Sequence, residues 1–113
     1  MNSLAVQNIT TQAEFENVVL NAAEPTLVYF WGTWCTSCKA LSPRVDALAR
    51  NGEAAFKVVK VEVSQVPEIA EKYGVMSVPT MLLFRPGHPQ PKELTLSTYV
   101  QDWAAFVNRR LAA

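Results

Sequence analysis

The chain of 113 residues holds two cysteines, Cys35 and Cys38, with two residues between them. Directly before them runs Thr26–Trp31, an almost unbroken β-branched and aromatic stretch of the kind a strand covered on both faces shows. From Cys35 onward, Leu41, Val45, Leu48 and Ala49 recur at helical intervals, and Asn51-Gly52 is a stop signal. The pair therefore falls where a strand ends and a helix begins, the place where open α/β sheets collect their chemistry. Cys35 is expected in the first helical turn, where unpaired N–H groups and the positive dipole end favour an anion. Cys38 lies one turn on, and Cβ atoms about 5–6 Å apart at that spacing close into a disulfide with small adjustment. Such a pair suits thiol–disulfide exchange: an accessible, acidified thiol attacks, and its neighbour displaces whatever was captured.

Three plainer readings of the pair compete. Structural zinc needs about four soft ligands, whereas this chain offers two cysteines and one distant histidine, His88. A purely structural disulfide would close so small a loop that it adds little constraint, and a reducing compartment would not keep it. Two inert thiols placed there by chance are the third.

The elements that must position the pair form one continuous domain, residues 1–113. No repeat, low-complexity tract or charge block divides the chain, and with 50% hydrophobic and 18% charged residues it can build a core. Ten basic residues balance ten acidic ones, which argues against nucleic acid as a partner. The longest apolar stretches fall far short of the roughly 20 residues that cross a bilayer, so no membrane role is expected. Met1–Ala5 has neither a basic region nor an apolar one, which reads as a cytoplasmic chain without a secretory signal. A chain whose leader had been removed and a Met restored would read the same.

Ala5–Ile9 reads as a weak strand, and Thr11 and Glu14 have capping-box spacing ahead of a helix to about Ala22. Pro43 removes one backbone hydrogen bond from the helix after Cys35, so a bend is expected there. Phe56–Val63 reads as a strand, and Ser64–Tyr73 as a short helix capped by Ser64 and ended by Gly74. Thr80–Phe84 and Lys92–Leu96 form a hairpin around the turn-rich Arg85–Pro91 loop. Ser97 or Thr98 then caps a last helix whose stripe is Val100, Trp103, Phe106, Val107 and Leu111. The order βαβαβαββα predicts a mixed central sheet with helices on both faces, an α/β fold.

Two segments together resemble the thioredoxin family: Phe30-Trp31-Gly32-Thr33-Trp34-Cys35-Thr36-Ser37-Cys38-Lys39, and Tyr73-Gly74-Val75-Met76-Ser77-Val78-Pro79-Thr80 followed by Leu82-Leu83-Phe84. The resemblance covers nearly the whole chain and implies the thioredoxin fold. It implies a thiol–disulfide oxidoreductase with Cys35 as attacking thiolate and Cys38 as resolving thiol. Trp34 would be the family's active-site tryptophan, shielding the pair from water; a core tryptophan is the alternative. Pro79 would be the family's cis-proline, leaving the Val78 backbone to pair with an extended substrate; an ordinary trans proline at a strand start is the alternative. Gly32, Trp34, Val75, Met76, Ser77, Val78, Pro79 and the loop near Thr95 would form an apolar docking surface.

The chain departs from the family in two places. Thr36-Ser37 stands where Gly-Pro is common between the cysteines. Their hydroxyls and amides either donate to the Cys35 thiolate, giving a less reducing potential, or cap the helix and face solvent. Tyr29 stands where the family usually carries a buried aspartate that takes the proton of the resolving cysteine. A phenol is a poor base at neutral pH, so resolution should be slower. Lys60, at the family's buried-lysine position, then lacks its usual partner unless Glu62 or Tyr29 supplies one, or else points to solvent. His88 is expected to be solvated.

The resemblance implies a protein that reduces disulfide-bearing client proteins and is recharged by an NADPH-linked thioredoxin reductase, with no bound cofactor of its own; with the reading of Met1–Ala5, a cytoplasmic monomer is expected. The rival is a binding or chaperone-like module with slow or vestigial redox activity. Glutathione-dependent glutaredoxin chemistry is weaker, because Trp34 and Lys39 follow the thioredoxin pattern.

Overall fold

The computed structural model describes residues 6–112. The apolar run before the cysteines is strand β2 (Thr26–Trp31), buried at every position but its last. It is covered because it is central: β1 (Gln7–Ile9) and β3 (Lys57–Glu62) lie to one side, β4 (Thr80–Phe84) and β5 (Lys92–Leu94) to the other, in the order β1-β3-β2-β4-β5. β1, β3 and β2 run parallel, while β4 is antiparallel to β2 and β5 to β4. The sheet is mixed, as the element order requires. Ala5, the first residue of the expected first strand, lies outside the described residues.

Four helical elements cover the sheet: α1 (Gln12–Phe15), continuing as a π turn over Glu16–Leu20, α2 (Thr36–Ala49), α3 (Pro67–Lys72) and α4 (Trp103–Ala112). Alternation along β2 sorts its side chains between two cores. Leu27 and Tyr29 pack with Cys38, Leu41 and Val45 of α2 and Trp103 and Val107 of α4. Val28 and Phe30 pack on the opposite face with Phe15, Val19, Val66 and Ile69. Helices therefore flank both faces, and α2 lies against the face that carries Tyr29.

Several expected boundaries are corrected. The first helix stays α-helical only to Phe15, then widens, with Asn21 N–H bonding the Glu16 carbonyl at 2.9 Å. Thr11 caps it through the Glu14 N–H, but the Glu14 carboxylate accepts from Thr10 N–H at 2.8 Å, one residue before the partner a capping box would use. Ser64 caps nothing: its hydroxyl donates to the Glu62 carboxylate, and α3 begins at Pro67, whose missing N–H and fixed φ suit a first helical position. Gly74 does end α3, at a φ of 70° that favours glycine.

Neither Ser97 nor Thr98 caps the last helix, which starts at Trp103 with Asp102 Oδ1 accepting from Ala105 N–H at 3.0 Å. The preceding loop is claimed by Arg44 of α2. Its guanidinium donates to the carbonyls of Val100 and Gln101 at 2.7 and 3.0 Å and lies 4.2 Å from the centre of the Trp103 ring. These contacts hold the segment before Trp103 as a loop against α2, and β5 ends at Leu94, so Thr95 and Leu96 lie outside the expected strand. α2 itself runs unbroken through Pro43.

Candidate active site

Cys35 is the N-cap of α2 rather than a residue of its first turn, with φ −89° and ψ 107°. Its sulfur does what a serine oxygen does at such a position, accepting the Cys38 N–H at 3.1 Å. One orphan amide and the positive end of the helix dipole are thus directed at this sulfur, both favouring its anion. Cys35 and Cys38 are joined as a disulfide with Cα atoms 5.2 Å apart. Cys35 is 8% exposed, a narrower opening than the sequence suggests, and Cys38 is fully buried. Of the two cysteines, only Cys35 has any exposed surface.

Thr36 and Ser37 are both exposed, yet the two hydroxyls differ. Ser37 Oγ lies 3.5 Å from the Cys35 sulfur, so it can donate to a thiolate there. Val78 O lies 3.7 Å from the same sulfur on the other side, and the Val78-Pro79 peptide is cis. Trp34 is not a core residue: it is 62% exposed. Its ring lies flat against Gly32, where an added Cβ would come within 2.6 Å of the ring carbons.

The residues expected to dock a partner divide into two hollows beside the disulfide. One, of about 340 Å³, is lined by Trp34, Val63, Val75, Met76, Ser77 and Val78, with Met76 almost fully exposed. The other, of about 350 Å³, brings together Ser37, Leu41, Pro79, Met81, Thr95 and Leu96. Glu93 is the one charged residue lining either hollow, so the surface is nearly uncharged. Gly32 is buried beneath Trp34 and contributes by admitting that ring.

Tyr29 is fully buried on the α2 face, and its hydroxyl donates to the Cys38 carbonyl at 2.9 Å. Burial pushes its phenol above the ordinary value; a hydrogen bond with Ser42 opposes that, and the Asp46 charge adds to it. Lys60, opposite Tyr29 in the β2–β3 register, does not point to solvent, and neither Glu62 nor Tyr29 is its partner. Its ammonium donates to Ser42 Oγ at 3.3 Å and lies 3.0 Å from Asp46 Oδ1, as an ion pair rather than an aligned hydrogen bond. Sequence reasoning missed Ser42 and Asp46. Their spacing from Cys38, four and eight residues, was the available signal, since it puts all three on one helix face. His88 is exposed in the β4–β5 loop, away from the cysteines. No grouping of three metal-ligating side chains occurs among the described residues, and none of their helices is long and apolar enough to cross a membrane.

A family model described as Thioredoxin matches residues 6–108. The chain belongs to the thioredoxin family. Similar curated proteins include the thioredoxin of Porphyra purpurea, 44% identical over 77 residues, 68% of this chain and 72% of that one. The thioredoxin of Pseudomonas aeruginosa is 40% identical over 101 residues, 89% of this chain and 93% of that one. Among solved structures, a mutant thioredoxin from Halobacterium salinarum aligns with a TM-score of 0.75 at 27% identity, covering 96% of this chain and 90% of that one. Malassezia sympodialis thioredoxin aligns at 0.71 with 22% identity, covering 96% and 89%, a likeness of fold. As a thioredoxin-family protein whose two cysteines stand at bonding distance, the chain is a thiol–disulfide oxidoreductase that reduces protein disulfides.

Proposed function

We propose that Cys35 attacks the client disulfide and Cys38 resolves the intermediate. The Cys35 thiolate bonds to one client sulfur and expels the other as a thiolate. The Cys38 thiolate then bonds to the Cys35 sulfur, re-forming the intramolecular disulfide and releasing the second client thiolate. The client gains two electrons and the protein loses two, which an NADPH-linked thioredoxin reductase returns. The single observation that carries this order is the unequal exposure of the two cysteines, 8% for Cys35 against none for Cys38, which leaves Cys35 as the one a partner would reach.

Trp34, Val75, Met76, Ser77 and Val78 on one side, with Pro79 and Thr95 on the other, would receive an extended client segment across the Cys35 sulfur. Gly32 and Ser37 support that surface, and Lys60 acts from below. We assign residues 1–113 to one catalytic unit working as a monomer in the cytoplasm.

Dithiothreitol-coupled insulin reduction tests the assignment. Cys35→Ser should abolish catalysis, and Cys38→Ser should accumulate a mixed disulfide through Cys35. A wild-type rate no higher than dithiothreitol alone would leave a binding module, the reading that Tyr29 in place of a carboxylate favours.

A further inference from the structure

Closing the disulfide requires a thiolate at Cys38, yet Cys38 is fully buried, and burial without a nearby positive charge disfavours that anion. The strand residue beneath it, Tyr29, is a phenol that donates to the Cys38 carbonyl and stays protonated at neutral pH. The charges on this face come from β3 and α2. Lys60 is 8% exposed and is held between Ser42 and Asp46. At a rise of about 1.5 Å per residue, Ser42 stands roughly 6 Å and Asp46 roughly 12 Å along the helix from Cys38. The pair is therefore oriented, with the ammonium bonded at the level of Ser42, nearer the sulfur, and the carboxylate beyond it at a side chain 41% exposed.

The other charged groups around α2 are not paired with Lys60. Glu62, next on the same face of β3, accepts from Ser64 at Oε1 and keeps Oε2 buried without a hydrogen-bond partner, and Lys60 pairs with Asp46 rather than with it. Arg44 is spent on the loop before α4. The side chains that α4 buries, Trp103, Ala104 and Val107, carry no charge.

We propose that Asp46, with Ser42, is a positioning residue that holds Lys60 as the fixed positive charge under which Cys38 ionises. This rests on Cys38 being the resolving thiol. The thiolate is then favoured by a cation clamped from the helix, with no strand carboxylate taking its proton directly. Without Asp46, a long flexible ammonium loses the one carboxylate it is paired with and is free to leave the level of Ser42, outward to solvent or along β3 towards Glu62.

Mixing the reduced protein with dithiobis(nitrobenzoate) separates the steps. The first thionitrobenzoate released reports attack by Cys35, and the second reports closure by Cys38, each followed against pH. Lys60→Met should raise the pH midpoint of the second release by about one unit, a tenfold slower closure at neutral pH. Asp46→Asn, at a partly exposed site that leaves the fold intact, should slow it about threefold in the same direction, with the first release unchanged. Lys60→Arg should retain most of the wild-type rate. A second release in Asp46→Asn at or above the wild-type rate overturns the proposal. Failure of the wild type to give a first release overturns instead the assignment of Cys35.

Discussion

The Tyr29 hydroxyl and the Cys38 backbone carbonyl are joined by a 2.9 Å hydrogen bond, fully buried, that ties the central strand to the first turn of the helix bearing the cysteines. The side chain that replaces a carboxylate there is thus a structural donor. Tyr29→Phe keeps the packing and loses only this bond, at about 1 kcal/mol. Tyr29→Asp should lose more stability through the cavity and the buried charge, while speeding mixed-disulfide resolution and insulin reduction at neutral pH. An unchanged rate in an Asp variant that folds would remove the argument that the wild type lacks a base.

The same phenol makes stability fall in alkali. Burial raises its pKa in the native state, so the native protein holds that proton more tightly than the unfolded chain does. Its contribution is complete below the unfolded value, near ~10, and is lost as pH rises through the raised native value. Urea midpoints should decline above about pH 10, and Tyr29→Phe should flatten that decline. Parallel alkaline limbs in the two proteins would show that Tyr29 is not the group responsible.

Trp34 packs directly over Gly32. A methyl at position 32 would meet the ring carbons at 2.6–2.8 Å, and an exposed ring can move aside at small cost. Gly32→Ala should therefore change thermal stability by less than about 1 kcal/mol. Insulin reduction should fall severalfold, and tryptophan fluorescence on oxidation should respond differently, because the wall of one hollow has shifted. Normal kinetics would mean that the ring's position is irrelevant to docking.

Ser37 should influence the potential more than Thr36 does, since its hydroxyl lies 3.5 Å from the Cys35 sulfur. A donor there favours the reduced, thiolate form and makes the protein a better oxidant. Replacing Thr36-Ser37 by Gly-Pro should make the protein more reducing, with a three- to tenfold shift in the glutathione equilibrium, about 15–30 mV. Ser37→Ala alone should give most of it. A Gly-Pro variant no more reducing than the wild type would reject the idea.

What could be read in the sequence followed local rules. Thr26–Trp31 is a strand by composition, and the two cysteines fall at its end by simple adjacency. Gly74 ends its helix because its backbone angle excludes most side chains. What could not be read depended on partners far along the chain. Ser97 looks like a cap, but its neighbourhood is taken by Arg44, fifty-three residues away. Lys60 looks unpartnered when β2 is searched for a carboxylate, because the carboxylate comes from α2. Ser64 loses its helix to Pro67, a choice between two acceptable starts that only the packing of Val66 and Ile69 decides.

The complete enclosure of Cys38 also bears on damage by peroxide. Oxidant reaches only the outer sulfur, which becomes a sulfenic acid; the enclosed thiol condenses with it, expelling water and giving back the ordinary disulfide. Irreversible sulfinic and sulfonic products should thereby be intercepted in the wild type and should build up at Cys35 in Cys38→Ser, a difference that mass analysis after peroxide treatment reads directly.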